Sequence, residues 1–412
     1  MIWHLWIKNT LKIVLGLGLV MAFSCKAQQD QTASTPQPAA EKLDQYLPLL
    51  QNKKVGLVAN QTSVISVQNG KNRRFIHLAD TLQARGIQLQ KVFAPEHGFR
   101  GKADAGAYIA NGIDKKTGLE VISLYGNNKK PLPEDLSDID LMVFDIQDVG
   151  ARFYTYLSTL HYIMEACAEQ NIPLIVLDRP NPNGDYIDGP VLQEQFKSFV
   201  GMHPVPVVYG MTIGEYALMI DGESWIETRL KTNLTIIPVA HYDHNTHYSL
   251  PIPPSPNLRS DQAIALYPSL CFFEGTPISA GRGTERPFEL FGSPNLDPVD
   301  YPFKFIPRTG PGAGAPKFKD QSCQGRDLAR IKAPNKIELS WLINTYKSSV
   351  LRQNIADSFF NSFFDKLAGT DQLRKDILRG LTPEEIRSNW TREIDEFKKV
   401  RAKYLLYPEG TD

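Results

Sequence analysis

Short apolar runs alternate with segments of helical periodicity along the chain from Lys54 onward. The runs are VGLVAN (55–60), LQKVFAPEHG (89–98), LEVISLYG (119–126), IDLMVFDIQD (139–148) and IPLIVLDRPNP (172–182). They are rich in Val, Ile, Leu and Phe, and each ends in polar residues or glycine. This continuous apolar pattern is typical of strands that are buried on both faces of a parallel sheet. Two further apolar stretches, 204–209 and 234–239, are expected to extend the sheet.

Between these runs, apolar residues recur at helical spacing. Residues 73–86 and 156–170 carry them at i, i+3 or i+4 and i+7, and a further helix is predicted at 212–220. Strands that alternate with helices predict an α/β fold built on a Rossmann-like open parallel sheet. We place this domain at residues 45–250.

The character of the sequence changes after about residue 250. Residues 251–316 are rich in proline and glycine and carry several polar motifs, as expected of loops that line a site. Residues 336–407 indicate α+β or mostly helical structure, with a capping box that begins a helix at Thr382. We therefore predict a smaller C-terminal α+β auxiliary domain over residues 251–412.

The N-terminus has the pattern of an export signal. A basic start precedes an apolar run at residues 13–23, which matches a signal-peptide core and is too short to span a bilayer. The sequence Ala-Phe-Ser-Cys that ends at Cys25 resembles a bacterial lipobox, and cleavage after Ala27 is the alternative. We predict a lipoprotein-like signal peptide at 1–25, a flexible tether at 26–44, and a protein exported to the periplasm or cell envelope, anchored by a lipid on Cys25.

Composition restricts the class of partner. Lys plus Arg and Asp plus Glu both number 45, so the formal net charge is zero, which excludes a chain adapted to nucleic acid. The sequence predicts no nucleic-acid partner and gives no oligomeric state. Without Cys25 three cysteines are left, which permits one disulfide at most or three buried thiols.

Polar residues follow the predicted strands where open parallel sheets bind ligands, outside the carboxyl ends of the strands. Glu96 follows the second strand, and Asp145, Asp148 and Arg152 follow the fourth. Carboxylates that meet at one sheet edge raise one another's pKa, so that one of them can act as a general acid near neutral pH. Asp at a strand end also caps loops and helices, whereas Glu96, in Pro-Glu-His-Gly, has no capping function.

A second polar segment, residues 274–288, contains Glu274, Arg282 and Glu285. Glycines on both sides of Arg282 permit unusual backbone angles, and its guanidinium is a planar fork for a carboxylate. The alternative is that the arginines here only form ion pairs with neighbouring glutamates. The stiff loop around Asn257, PSPNLR, has a similar character.

Several enzyme classes are excluded by missing motifs. The first strand is not followed by GxGxxG, and the chain contains neither a P-loop nor a GxSxG elbow. His241, His244 and His247 have a spacing that suits a metal, but they lie in a predicted loop without a second metal motif, so hydrogen-bonded or solvent-facing histidines are the better interpretation. The sequence predicts no metal and no cofactor.

Seven segments together carry a family resemblance: GLVANQTSV, FAPEHGFRG, FDIQDVGARFYTY, LDRPNPNGD, GMTIGEYA, PPSPNL and EGTPISAGRGTERPFE. In this order they resemble the exo-β-N-acetylmuramidase (NamZ-type) glycoside hydrolases from about residue 50 to the C-terminus. Asp185 stands where the family pattern suggests a second glycine. The resemblance implies an active-site cleft between the Rossmann-like and auxiliary domains, and release of N-acetylmuramic acid from the non-reducing ends of peptidoglycan fragments.

The resemblance also implies roles for single residues. The glutamate of the family's EHG motif falls on Glu96, which we predict to be the general acid. The second carboxylate is left open among Asp148, Asp145, Glu285 and Glu274, in that order, or is replaced by the acetamide of the substrate.

Selectivity for muramic acid calls for a cation, because the lactyl ether of this sugar carries a carboxylate. We predict that Arg282 or Arg152 binds this carboxylate. His97, Asn257 and Tyr154 are predicted to contact hydroxyls or the acetamide, and Asp145 and Glu274 to bind substrate if they are not catalytic.

Two other functions fit the same sequence. One is a peptidoglycan-binding lipoprotein without turnover, which the presence of Glu96, Asp148 and Glu285 disfavours. The other is a hydrolase of a different bond, such as an esterase or a deacetylase, which lacks a serine elbow and a metal set.

Overall fold

An open, mostly parallel sheet lies at the centre of the protein, which a computed structural model describes for residues 35–69, 72–101, 111–227, 230–353 and 358–410. The strands in these ranges are β1 (Lys54–Ala59), β2 (Val64–Asn69), β3 (Asn72–His77), β4 (Gln88–Ala94), β5 (Gly112–Ile113), β6 (Glu120–Ser123), β7 (Leu141–Asp145), β8 (Leu174–Leu177), β9 (Leu234–Ile237), β10 (Leu290–Ser293), β11 (Phe303–Phe305) and β12 (Cys323–Asp327). The α-helices are α1 (Leu43–Leu50), α2 (Leu78–Ala84), α3 (Pro133–Leu136), α4 (Tyr156–Glu169), α5 (Ile213–Gly222), α6 (Asp261–Leu270), α7 (Leu339–Gln353), α8 (Ser362–Ala368), α9 (Gln372–Leu378), α10 (Pro383–Ser388) and α11 (Thr391–Arg401).

The order of the central sheet is β5-β6-β4-β1-β7-β8-β9. All pairs are parallel except β5 with β6. The chain starts at the central strand β1, builds outward through β4 and β6, and then crosses to the other side of β1 to add β7, β8 and β9. This is the Rossmann order, and its switch point lies beside β1. The predicted Rossmann-like α/β fold is confirmed.

Side chains alternate between two apolar layers on the faces of this sheet, because successive residues of a strand point to opposite sides. Val58 and Phe144 face a large core that also contains α4, α5, α6 and the C-terminal helices. Leu57 and Val143 face a smaller core with α1 and α2. The large core continues as far as Phe397, and Pro36–Asp412 form one compact unit. The division at residue 250 stays a prediction.

The C-terminal part adds a small antiparallel sheet in the order β10-β12-β11, together with α7 to α11. The capping box at Thr382 is present: the Thr382 hydroxyl accepts from the backbone N–H of Glu385 at 3.2 Å, and the Glu385 carboxylate accepts from that of Thr382 at 2.8 Å. This region therefore has the α+β character that its sequence predicts.

Two predicted elements are wrong. Residues 73–86 form a helix only from Leu78, since 72–77 is strand β3, paired antiparallel with β2. The sequence Asn69-Gly70, where β2 ends, is a strong hairpin signal that the helical periodicity obscures. The stretch 204–209 is not a strand, and it contributes only isolated bridges from Val208. It contains two prolines, at 204 and 206, which cannot donate ladder hydrogen bonds.

The predicted signal peptide, with Cys25, and residues 26–34 of the predicted tether lie outside the described residues. The later part of the predicted tether, from Pro36 to Asp44, instead packs onto the folded protein. Gln37 pairs with Ala240 through two backbone hydrogen bonds of 2.9 and 3.0 Å, and Ala39 and Ala40 are fully buried.

No helix in the described part of the chain is both long enough and apolar enough to cross a membrane. The three cysteines described are free and buried. Of the two alternatives for these residues, the structure has three buried thiols.

Candidate active site

The loops that follow β1, β4 and β7 meet at the carboxyl edge of the sheet, beside the switch point. Asn60 follows β1, Glu96 follows β4 and Asp148 follows β7. The β1 and β7 loops are joined by a 3.0 Å hydrogen bond from the backbone N–H of Gln147 to the hydroxyl of Thr62. Open α/β sheets bind ligands at this position, where the chain switches direction. The fold thus places the two carboxylates that head the sequence prediction on loops at the same edge of the sheet.

Glu96 is held at this edge by the start of α4. The hydroxyl of Thr155 donates to Glu96 Oε2 at 2.9 Å, and Thr155 directly precedes the helix. His97 and Gly98 have φ angles of 69° and 76°, so the backbone turns sharply after the glutamate. A non-glycine residue in this left-handed region is uncommon and is often found at functional sites. The Glu96 side chain is half-buried, while that of His97 is buried.

Asp148 is a buried carboxyl group whose charge, like that of Glu96, acts on Tyr156. Its Oδ2 accepts from the backbone N–H of Gly150 at 2.7 Å and from the Tyr209 hydroxyl. Its Oδ1 is buried without a hydrogen-bond partner in the described residues. Burial raises the pKa of Asp148 from its ordinary value to about 6, so this group exchanges a proton near neutral pH.

Two tyrosines lie between these carboxyl groups and the loop that contains Asn257. Tyr154 and Tyr156 pack edge to face with centroids 4.7 Å apart, and their hydroxyls donate to the Pro254 carbonyl at 2.9 and 3.1 Å. Burial raises the pKa of Tyr156, and the nearby charges of Glu96 and Asp148 add to that effect. The predicted contact residue Tyr154 therefore lies at the site, where its hydroxyl also anchors this loop.

Asp145 is not placed to bind substrate or to act as the second carboxylate. Both of its oxygens accept from Arg179, at 2.6 and 2.9 Å, and the side chain is fully buried. Burying one charge without the other would be costly, so this pair is part of the framework of the sheet edge. The two roles predicted for Asp145 are corrected accordingly.

Arg152 is likewise structural. Its two terminal nitrogens donate to four backbone carbonyls at 2.7 to 3.0 Å, and the residue is 1% exposed. These carbonyls belong to Pro190, Val205, Leu367 and Ala368. A guanidinium so engaged cannot also form a bidentate pair with a substrate carboxylate, and the prediction for Arg152 is corrected.

Arg282 is placed differently. Its Nε donates to Glu274 Oε1 at 2.7 Å, its side chain is 27% exposed, and neither terminal nitrogen donates a hydrogen bond within the described part of the chain. Its guanidinium carbon lies 5.1 Å from the centroid of Phe288, which packs on Tyr267, and Tyr267 packs on Tyr154. Glu274 thus orients Arg282, and among the described residues no hydrogen-bond partner occupies the two terminal nitrogens of its guanidinium.

The other predicted residues fall into two places. Glu285 is exposed and lines a cavity of about 440 Å³ together with three arginines, Arg259, Arg286 and Arg308. Neither Glu96 nor Asp148 lines this cavity. Asn257 is buried, donates to the Gly312 carbonyl at 2.7 Å, and leaves Oδ1 without a partner in the described structure. The structure therefore does not bring Glu285 to the Glu96 centre.

The three histidines of the 241–247 segment do not form a metal site. His241 and His247 are exposed, whereas His244 is buried with Nε2 3.1 Å from Glu215 Oε1. In the described ranges, no three His, Cys, Asp or Glu side chains are grouped to hold a metal ion.

Sequence reasoning missed four residues of this site. Thr155 contacts Glu96, and Asn60 lies beside Tyr156. Tyr156 contacts the loop that contains Asn257, and Tyr209 contacts Asp148. Asn60 was predictable from the sequence, because it follows the first strand of a Rossmann order and ligands bind beside the carboxyl end of that strand. The other three depend on packing between distant segments, which no local pattern indicates.

Comparisons with known proteins identify the family of the chain. The family models for the N-terminal and C-terminal parts of the exo-beta-N-acetylmuramidase NamZ match residues 55–262 and 265–407. The peptidoglycan beta-N-acetylmuramidase NamZ of Bacillus subtilis is 37% identical over 92% of this chain and 94% of its own length.

Two crystal structures of DUF1343 family proteins from Bacteroides fragilis have the same fold. One has a TM-score of 0.81 at 41% identity and covers 92% of this chain and all of its own. The other has a TM-score of 0.75 at 30% identity and covers 90% of this chain and 99% of its own. The chain belongs to the exo-β-N-acetylmuramidase NamZ family.

Proposed function

We propose that this exo-β-N-acetylmuramidase releases N-acetylmuramic acid from the non-reducing ends of peptidoglycan fragments with Glu96 as the general acid. This assignment is supported by the position of Glu96 at the switch point of the sheet. Its side chain is half-buried, its Oε2 accepts a hydrogen bond from Thr155, and the buried Asp148 follows a strand at the same edge. Family membership and this pair of carboxyl groups disfavour both a binding protein without turnover and a hydrolase of another bond.

The reaction needs a proton on the leaving oxygen and a second group that stabilises the sugar as its bond to that oxygen breaks. Glu96 donates its proton to the glycosidic oxygen, and the electron pair of the bond leaves with that oxygen as a hydroxyl group. Asp148 is the second carboxylate that the geometry favours, since Asp145 is paired with Arg179 and Glu285 lies at a separate cavity. Water supplies the new hydroxyl at the anomeric carbon, and Glu96 regains a proton.

Arg282 gives the site its selectivity for muramic acid. Its outer nitrogens offer two donors to the lactyl carboxylate, which is the group that N-acetylglucosamine lacks. Glu274 holds the guanidinium from behind without using those donors.

We expect the purified protein to cleave a chromogenic β-N-acetylmuraminide far faster than the matching glucosaminide. Arg282→Ala should lower kcat/KM for the muraminide by about 30-fold or more through KM, because a charge-assisted bidentate contact is lost. Residual glucosaminide cleavage should not fall with it. Arg392→Ala, at an exposed arginine, is the control. An equal loss on both sugars would contradict the assignment of Arg282, and cleavage of neither sugar by the unaltered protein would contradict the proposed function.

The predicted export signal extends this proposal to the cellular location of the protein. The lipobox-like sequence at Cys25 supports an envelope lipoprotein, with the folded protein attached through the residues that precede Pro36. Cys25→Ala should abolish incorporation of labelled palmitate and release the protein from the membrane fraction, while Cys167→Ser should do neither. A mature N-terminus at Gln28 would show that ordinary cleavage occurs after Ala27 instead.

A further inference from the structure

Three aromatic side chains lie side by side on the surface near Glu96. The ring centroid of Phe199 is 6.2 Å from that of Tyr125 and 6.3 Å from that of Tyr162, and the planes of Phe199 and Tyr162 differ by 17°. The ammonium group of Lys129 lies 4.7 Å from the centroid of Phe199. We call these four residues the aromatic platform. All four are half-buried, and in the described structure none belongs to the buried apolar clusters.

The sheet brings one end of the platform to Glu96. The backbone N–H of Leu124 donates to the carbonyl of Ala94 at 2.8 Å, which continues the parallel pairing of β6 with β4. Tyr125 follows Leu124, and Glu96 comes two residues after Ala94. Since neighbouring strands lie about 4.8 Å apart, Tyr125 occupies the strand end beside that of Glu96.

Helix α4 connects the rest of the platform to the same carboxylate. Thr155, which contacts Glu96, precedes the helix, and Ser158 on its first turn donates to the Phe199 carbonyl at 2.7 Å. Tyr162 lies seven residues after Thr155, or about 10 Å along the axis at about 1.5 Å per residue. The platform therefore begins beside Glu96 and extends along α4 away from the sheet edge.

We infer that the aromatic platform binds the sugars on the leaving-group side of the scissile bond. This inference rests on the proposed function, because a general acid lies on the side of the bond where the leaving oxygen is protonated. The C–H groups on one face of a pyranose carry partial positive charge and pack against the negative face of an aromatic ring. The occupant is a β-linked amino-sugar oligosaccharide.

Charge supports the same occupant. Muramic acid in the leaving chain carries a lactyl carboxylate, free or extended by an acidic peptide, and Lys129 places a cation over the platform. An exo-acting enzyme needs an enclosed site only for the terminal sugar. The remainder of the chain requires a surface that tolerates different lengths, and three partly exposed rings provide one.

The test compares two leaving groups in the full chain. Phe199→Ala and Tyr162→Ala should lower kcat/KM for a muramic acid-terminated tetrasaccharide by about tenfold, since one stacking contact is lost in each. The para-nitrophenyl β-N-acetylmuraminide, whose leaving group carries no sugar, should be cleaved within about twofold of the unaltered rate. Phe363→Ala, which removes an exposed aromatic ring on α8, is the control and should affect neither substrate.

Two outcomes would overturn the inference: an equal loss on both substrates, which indicates a structural role, or no loss on the tetrasaccharide. Calorimetry with the tetrasaccharide and Glu96→Gln protein separates this inference from the proposed function. Phe199→Ala in that background should weaken binding by about tenfold whether or not the unaltered protein turns over the aryl substrate. Unchanged binding would reject the platform, whereas absence of any turnover would reject only the proposed reaction.

Discussion

Glu96→Gln should reduce hydrolysis of a muramic acid-terminated disaccharide by between about 100-fold and 10,000-fold, with the fold intact. Glutamine has the same shape as glutamate and can still accept the 2.9 Å hydrogen bond that the Thr155 hydroxyl donates to Glu96. The variant therefore removes only the transferable proton. The measurement is kcat/KM together with circular dichroism and thermal unfolding. Glu396→Gln, at an exposed position on α11, should retain full activity.

The leaving group distinguishes a general acid from the other possible roles. A nitrophenolate leaves without protonation, so the Glu96→Gln variant should lose much less activity on the nitrophenyl muraminide than on the disaccharide. An equal loss on both would assign Glu96 to the second-carboxylate role instead. The rival Glu285→Gln should show no such dependence, because Glu285 is exposed at a cavity that Glu96 does not line.

The fold was largely predictable because its signal is local. Five continuous apolar runs indicated the parallel sheet, and their ends indicated Glu96 and Asp148, since all parallel strands of one sheet deliver their carboxyl ends to the same edge. The hairpin of β2 and β3 was missed because Phe75 and Ile76 continue into a helical spacing with Leu78 and Leu82.

Site residues that depend on distant contacts were less predictable. Arg152 and Arg282 are both arginines in polar motifs, and nothing local separates them. Four carbonyls from three distant segments engage Arg152, whereas Glu274 occupies only the Nε of Arg282. Asp145 resembles Asp148 in the sequence, but only the fold shows that Arg179 neutralises it.

The raised pKa of Asp148 makes the stability of the protein depend on pH. Burial raises this pKa from 3.8 to about 6, so the folded protein holds the proton more tightly than the unfolded chain does. The resulting stabilisation is complete below pH 3.8 and is lost as the pH rises through about 6. At 1.36 kcal/mol per unit of pKa, the loss amounts to about 3 kcal/mol.

Asp148→Asn cannot lose a proton and is not subject to this change. From pH 4 to 7.5, the free energy of unfolding of the variant relative to that of the unaltered protein should therefore increase by about 2.4 kcal/mol. Urea unfolding at several pH values measures it. Asp178→Asn is a matched control, because Asp178 is also fully buried and its pKa is also raised to about 6 by burial. It should show the same trend in stability.

Activity should separate these two aspartates. If ionised Asp148 stabilises the sugar as the bond breaks, kcat/KM of the unaltered protein should fall below about pH 6, as the carboxylate takes up its proton. Asp148→Asn should lose activity by about 100-fold or more and no longer show that dependence on pH, whereas Asp178→Asn should stay within about fivefold of the unaltered rate. Activity that stays constant below pH 6 would contradict a role for ionised Asp148 in the reaction. If Asp148→Asn is more stable than the unaltered protein at neutral pH and has lost its activity, the buried charge of Asp148 is retained for catalysis at a cost in stability.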